Sequence, residues 1–509
     1  MKLINSTFPC VTILNPKGND SSINCQFVNT ESALFQYVTN LPQNGVISIL
    51  SKQPQDNQSF FSLSSSEGEC VHIAFNLWEC FVDLFPWDNP SLLLISLNAL
   101  PLLTKLFKSK PNLPSGRIFD LKIPLQILHG HSDYLPPLNQ LWEYYMRKPY
   151  PSSSCELVVN LSQAYALLKP ICEGENLYKA IILDQHVQCS LSRIITGFDV
   201  NASSLDYLLR ELCQDHHTGL NNSQIINSSM ITKDEEHVFV AANYQDIDLV
   251  SAASLSEDPL LLHAINEGRD LHVMTASDIT GKKPGDVTVQ DRCLGKAVNS
   301  AFLYDLTAKG MSLYAKSNYN VTLTSSQAEQ AIKILHQKYQ RLSRWQDSVW
   351  REVEKRRKLK SNVGYIRHFP CALITTSLED VGSVGSLHVF PSQIELTKNT
   401  TRITLYPRNM EELDLKDSWH QSPVNPKRSI VIHCPIQSTT SEITKMALVN
   451  LETKLPANSQ IVSIGRGKFI IRVPKNDAPT ISEHIRSIME MAGQKVLQNI
   501  IPMVKISIG

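Results

Sequence analysis

Two basic side chains four positions apart, Arg292 and Lys296 in "RCLGKAVNSAFLYD", share one face of a helix and together would cradle an anion such as a phosphate. Oxygen chemistry is offered by Asp246 and Asp248 in "ANYQDIDLV", because hard cations such as Mg²⁺ need carboxylate ligands. A third candidate is the break in "QIVSIGRGKFIIRVP", Gln460–Pro474. There Gly465-Arg466-Gly467-Lys468 parts two β-rich apolar runs, the pattern of a tight hairpin with a basic tip. Between Arg341 and Lys360 eight Lys/Arg stand against three Asp/Glu, interleaved with Trp345 and Trp350. That run is a nucleic-acid-facing helix, a solvated helix face, or a nuclear-import patch at "KRRK". His216-His217 has no partner at ligand spacing and reads as a solvated loop. The eleven cysteines form no CxxC, so neither a zinc site nor a disulfide framework is expected, and reduced thiols are.

Elements must hold these groups in place. Residues 1–130 alternate short β-type runs ("CVTIL", "GVISIL", "CVHIAF", "SLLLISL") with helix-like pieces, the pattern of an α/β layer. A Pro/Ser-rich break at Met146–Cys155 is followed by helical spacing over 156–215, clearest in Asn176–Ile195. After a polar stretch, Val238–Val250 opens as a buried strand. Long helical patterns then fill 286–315 and 325–360, the second opening on the capping-box spacing Ser326-Gln327-Ala328-Glu329. No internal repeat is present.

At 509 residues the chain accommodates two to four domains. With 48 basic and 48 acidic side chains the formal charge is zero, which excludes a globally basic nucleic-acid binder and leaves only local patches. The N-terminus lacks the apolar core of a secretory signal and the Arg-rich helix of a mitochondrial one. No run approaches about 18 apolar residues. The expectation is an intracellular protein, nuclear rather than mitochondrial, with no membrane partner, whose Asn-x-Ser/Thr triplets at Asn5 and Asn399 are compositional.

Five blocks from Val238 onward resemble, in order, the motifs of family A DNA polymerases. "ANYQDIDLVSAASLSEDP", Ala242–Pro259, is similar to the palm motif with an Asp-Tyr pair before an Ile-Glu-Leu-Arg run. "INEGRDLHVMTASDITG", Ile265–Gly281, is similar to the Asp-Ile-His and Thr-Ala stretch. "RCLGKAVNSAFLYD", Arg292–Asp305, resembles the fingers helix, and "HCPIQSTTSEITKMAL", His433–Leu448, the Asn-x-Pro-x-Gln-Gly-Thr-Ala-Ala-Asp helix. The hairpin falls where the family has Val-His-Asp-Glu. More faintly, Ile95–Leu106 and Arg117–Leu128 are similar to pieces of the family's 3′–5′ exonuclease domain, and Ile195–Leu205 to the turn before the thumb.

The resemblance implies an α/β (α+β palm) fold. It is a right-hand palm and fingers with a reduced thumb, since only about 30 residues separate Leu205 from the palm strand. A vestigial exonuclease-like α/β domain precedes it. The implied boundaries are 1–150 for that domain, 151–236 for a helical region with the reduced thumb, and 237–509 for palm and fingers, the fingers at about 261–360. Family catalysis is phosphoryl transfer on two metal ions held by palm carboxylates. At the two ligand positions this chain has Asn243 and Gly467, with Lys468 in place of the neighbouring acid and Arg466 in place of the histidine. Asp248 matches the family's Glu, and Asp246 alternates to another face of the strand. The exonuclease positions also lack acids: "GVISILSK" has none, Leu102 replaces an Asp, and Asp120 stands alone as a helix cap. What the resemblance leaves is vestigial nucleotide binding by His272, Arg292, Lys296, Tyr304 and Gln437, although the stacking Phe is Ser300 and the two glycines are Ala301 and Asp305.

The expected function is therefore a catalytically inactive family A DNA polymerase-like scaffold. It would bind DNA or protein within a replication, repair or recombination complex, with protein partners and no cofactor. The alternatives are an active template-dependent polymerase with atypical ligands, using Mg²⁺, and a nucleotide-binding regulatory subunit.

Overall fold

Short β-branched and aromatic runs separated by polar turns close into a six-stranded sheet in the N-terminal half. The computed structural model describes residues 23–51, 60–65, 69–111, 113, 118–130, 137–196, 236–369, 371–375, 390–396, 401–406, 419–422 and 427–509. His216-His217, the reduced thumb expected before the palm, and the Asn5 and Asn399 triplets lie outside the described residues. Two compact units are formed, 1–128 with 135–209, and 129–134 with 210–509.

The first unit contains β1 (Asn24–Val28), α1 (Glu31–Thr39), β2 (Gly45–Ser51), β3 (Phe60–Ser64), β4 (Glu69–Ala74), α2 (Trp78–Leu84), β5 (Leu92–Ser96), α3 (Leu100–Ser109), β6 (Ile118–Asp120), α4 (Lys122–His129), α5 (Leu138–Met146), α6 (Ser154–Gly174) and α7 (Tyr178–Thr196). Sheet order is β1-β4-β3-β2-β5-β6. The expected α/β layer is present, and its core holds Leu34, Ile47, Phe61, Phe81 and Leu103. The helices of 154–196, read from sequence as a region of their own, belong to this unit: α6 lies on β2, β3, β4 and β5, and α7 packs on α3. Four side chains from three separate elements, three of them cysteines, gather in this unit. Parallel pairing of β1 with β4 sets Cys25 beside Cys70, and Cys25, Cys70, His72 and Cys155 bring their ligand atoms within 4.8 Å of one another.

The second unit opens with β7 (His237–Tyr244), followed by α8 (Ile247–Ser256), α9 (Pro259–Asn266), α10 (Leu271–Thr280), α11 (Val289–Leu303), α12 (Ala308–Tyr319), α13 (Ser325–Lys338) and α14 (Gln340–Arg356). The two long helical patterns are each broken, at residues 304–307 and at Tyr339. The capping box of α13 is Thr324 with Gln327, two residues before the expected one, because the helix starts at Ser325. The hairpin β8 (Lys358–Lys360) and β9 (Ile366–His368) follows, then a sheet of β10 (Cys371–Thr375), β11 (Phe390–Leu396), β12 (Thr401–Tyr406) and β13 (Trp419–Ser422) in the order β11-β12-β10-β13. Last come α15 (Arg428–Lys454), β14 (Gln460–Gly465), β15 (Lys468–Pro474), α16 (Ala478–Leu497) and β16 (Val504–Ile508).

The sheet β14-β15-β7-β16 is antiparallel and pairs the ends of the unit with one another. Its strands alternate: Val240, Ala242 and Tyr244 of β7 and Phe469, Ile471 and Val473 of β15 are buried, while Asn243 and Lys468 face out. Helix α16 contacts β7, β15 and β16, and the Tyr244 hydroxyl donates to the Met489 carbonyl. Helix α11 approaches α10 so closely that a Cβ on Gly295 would stand 2.0 Å from the His272 carbonyl oxygen.

Candidate functional site

The hairpin is built as the sequence indicates. Gly465 pairs with Lys468, leaving Arg466-Gly467 as a two-residue turn. Gly467 has φ +67°, a left-handed conformation that glycine adopts without cost. Its N–H donates to Thr444 Oγ1 at 3.0 Å and its carbonyl accepts from Tyr244 N at 3.0 Å, so the turn is pinned against α15 and the end of β7.

Register decides what surrounds Asn243. It lies directly between Lys468 on β15 and Lys505 on β16, and directly opposed residues of antiparallel strands share a face. All three are exposed. A neutral amide flanked by two ammonium groups repels a divalent cation, and Gly467 offers no side chain at all. At about 4 Å, unit charges of like sign repel by about 4 kcal/mol at an effective dielectric of 20.

The remaining acids are engaged. Asp248, in the first turn of α8, accepts from Arg466 Nη2 at 2.7 Å, Thr440 Oγ1 at 3.0 Å and the Tyr304 hydroxyl at 2.9 Å. Asp246 is the left-handed N-terminal residue of the same helix, and its Oδ1 lies 3.1 Å from His272 Nε2. Burial raises the Asp246 carboxyl, but the His272 hydrogen bond and charge, with Lys296 and Arg292 nearby, hold it below the ordinary carboxylate range. Burial pushes the Tyr304 phenol up, and the Asp248 charge adds to this, so Tyr304 stays a neutral donor. The donor set therefore does not fit a pair of magnesium ions: Asp248 is paired to arginine, Asp246 to histidine, and neither Asn243 nor Gly467 carries an acid.

The nucleotide-facing candidates divide. His272 is buried, with its Nδ1 3.1 Å from Asn299 Nδ2, which makes it part of the packing between α10 and α11. Gln437 is buried, and Tyr304 is partly buried with its hydroxyl bonded to Asp248. Arg292 and Lys296 do share α11, and Lys296 is exposed, but Arg292 Nε donates to Asp270 at 2.6 Å. Ser300 lies 3.3 Å from the Tyr319 hydroxyl, and Asp305 pairs with Arg428, which also reaches Asp347 at 2.7 Å. Thr440 and Thr444, four apart on α15, were missed in the sequence; that spacing in a block already aligned with the palm was their signal.

Two further sequence readings fall on described residues. Trp345 and Trp350 pack against Val349, Val353, Phe369 and Val431, so the basic face of α14 carries its arginines outward without those rings. Asp120 is fully buried and accepts from Asn98 N, Ala99 N, Lys122 N and Gln188 Nε2 at 2.7–3.0 Å. Four hydrogen bonds occupy the Asp120 carboxylate as a cap, and Leu102 is buried in α3.

Residues 217–509 match the family model for DNA polymerase family A. DNA polymerase I of Aquifex aeolicus is 22% identical over 287 residues, 56% of this chain and 41% of that protein. DNA polymerase I of Streptococcus pneumoniae (strain TIGR4) is 24% identical over 279 residues, 54% of this chain and 26% of that protein. This chain thus spans less than half the length of these curated relatives. Among solved structures, the POL domain of Pol1 from M. smegmatis, in complex with DNA primer-template and dNTP, is similar in fold with a TM-score of 0.65 at 12% identity. The likeness covers 95% of this chain and 98% of that one.

Proposed function

The chain belongs to DNA polymerase family A, and from that premise we propose that it is a catalytically inactive member, a scaffold that binds DNA or protein within a replication, repair or recombination complex. The observation that carries this reading is the 2.7 Å ion pair between Arg466 and Asp248, formed beside ligand positions occupied by Asn243 and Gly467. The arginine supplies internally the positive charge that a metal ion would bring, so the local charge balance closes without one. Lys468 and Lys505, exposed on the same face as Asn243, would meet a phosphate or an acidic partner surface. Zero net charge favours protein contacts over independent duplex binding, since phosphate affinity accumulates over many basic contacts.

Primer extension on a templated substrate with Mg²⁺ or Mn²⁺ tests the reading, which expects no incorporation above background. Template-directed incorporation that Arg292→Ala abolishes would establish the alternative, an active polymerase with atypical ligands. The exposed Lys296 beside Arg292 favours one further reading, a nucleotide-binding regulator. Calorimetry with a deoxynucleoside triphosphate decides it, and absence of binding at about millimolar ligand, the weak limit near −4 kcal/mol, removes it.

A further inference from the structure

Four metal-ligating side chains converge in the first unit from three elements. Cys25 of β1 stands beside Cys70 of β4 in parallel register. Cys70 and His72 are two apart on β4 and so share a face, and Cys155 lies in the first turn of α6, the helix that packs on that face. Cys25, Cys70 and Cys155 are buried and His72 is partly so. His72 Nε2 is 3.0 Å from Cys155 Sγ, its Nδ1 is 3.9 Å from Cys70 Sγ, and all four ligand atoms fall within 4.8 Å of one another.

We propose that Cys25, Cys70, His72 and Cys155 form a structural Zn²⁺ site that fastens the edge strand β1 and the start of α6 to β4. Three sulfurs and one imidazole nitrogen are the donor number and softness that tetrahedral zinc selects, with no position left open for a substrate. Bonds of about 2.3 Å to sulfur and about 2.0 Å to nitrogen set tetrahedral ligand atoms roughly 3.5–3.8 Å apart. The observed cluster needs only shifts of side chains to meet that spacing: the sulfurs draw inward, and the contact of His72 with Cys155 opens by about half an ångström.

A separate observation supports the assignment. Ser62 of β3 lies directly opposite His72 in antiparallel register, and its buried hydroxyl is 2.8 Å from Nδ1. With Nδ1–H donating to that oxygen, the Nε2 lone pair is directed toward Cys155 Sγ, the arrangement of a metal-bound histidine with its outer partner. Phe60 holds the ring from the side, its centroid 4.3 Å from the imidazole. On binding, each coordinating thiol loses its proton to solvent and the imidazole coordinates as the neutral form, so zinc affinity falls in acid.

The test uses the tag-free full chain, purified under reducing conditions and desalted. Elemental analysis should give one zinc per chain. Loading with Co²⁺ should give the intense visible ligand-field bands and near-ultraviolet thiolate charge-transfer bands of a tetrahedral site. Cys25→Ser with Cys155→Ser should lose the metal. Because that variant risks misfolding, His72→Cys is the second arm: it should keep one equivalent while the cobalt bands move to the lower energy of four sulfur ligands. Wild-type protein without zinc after loading, or unchanged stoichiometry in the double-serine variant, would overturn the proposal. So would unchanged cobalt bands in His72→Cys, or a Cys25–Cys70 disulfide formed in place of metal binding.

Discussion

Arg466 is the residue on which the reading of the palm turns. It occupies a hairpin tip and reaches Asp248, which Tyr304 and Thr440 also hold. The pair is about one quarter exposed on each side, so it is worth more than a surface ion pair and less than a fully buried one. A double-mutant cycle of Arg466→Ala and Asp248→Ala, read by thermal unfolding of the full chain, should give a coupling of about 1–2 kcal/mol. A coupling near zero would mean that arginine does not balance the acid. Asp246 gives a second prediction, in pH. Its folded carboxyl lies below its unfolded value, so the stability it contributes is present above the ordinary carboxylate range and lost as pH falls through the depressed folded value. Asp246→Asn should therefore flatten the acid limb of melting temperature against pH. An unchanged limb would remove His272 from that role. That Asn243 and Gly467 carry no acid is legible residue by residue in the sequence, because both lie inside motifs that resemble the family's. The partners of Asp248 were not, since Arg466 and Thr440 come from distant elements and only the fold shows which side chain reaches it.

Among elements, the hairpin was the most readable. Period-two burial of Phe469, Ile471 and Val473 and a two-residue turn with a glycine give β14 and β15 without further information. The helix α13 starts two residues before the point that Ser326-x-x-Glu329 predicts, because Thr324-x-x-Gln327 satisfies the capping-box pattern equally. Only the helix origin decides between them. Basic spacing on α14 was visible, but the inward direction of Trp345 and Trp350 was not, because it depends on where Val431 and Phe369 arrive from later in the chain. The packing of α10 on α11 supplies a prediction at this scale. Gly295→Ala places a methyl 2.0 Å from the His272 carbonyl oxygen, backbone that cannot move alone. It should lower stability by about 1–3 kcal/mol or more and loosen the contact of His272 with Asn299. A neutral melting temperature would show that the two helices are less closely apposed.

For the whole molecule, the proposed scaffold role rests on a balanced charge and on the Arg466–Asp248 pair in the palm. Duplex DNA should bind only weakly at physiological salt, in the range of about 10⁻⁴–10⁻⁶ M typical of non-specific contact. Log affinity should fall only shallowly with log salt, because few phosphates are neutralised. A nanomolar complex with a steep salt slope would make DNA, not protein, the main partner. Five ordered motif blocks made the family legible in sequence. Of the four grouped side chains only Cys70 and His72 are close in sequence; Cys25 and Cys155 join them from β1 and α6, so the cluster is visible only in the fold. The central claim, that the palm no longer holds catalytic metal, is tested most directly by Mn²⁺ titration followed by electron paramagnetic resonance. The wild type is compared with Asn243→Asp/Gly467→Asp. A Cβ at Gly467 meets only ordinary contacts with Tyr244 and Ile247 at 3.5–3.6 Å; its positive φ strains any side chain, and aspartate bears that conformation better than most residues. The account expects the variant to bind Mn²⁺ at least about tenfold more tightly, about 1.4 kcal/mol, while the wild type shows no palm site. Wild-type binding as tight as that of the variant would contradict it.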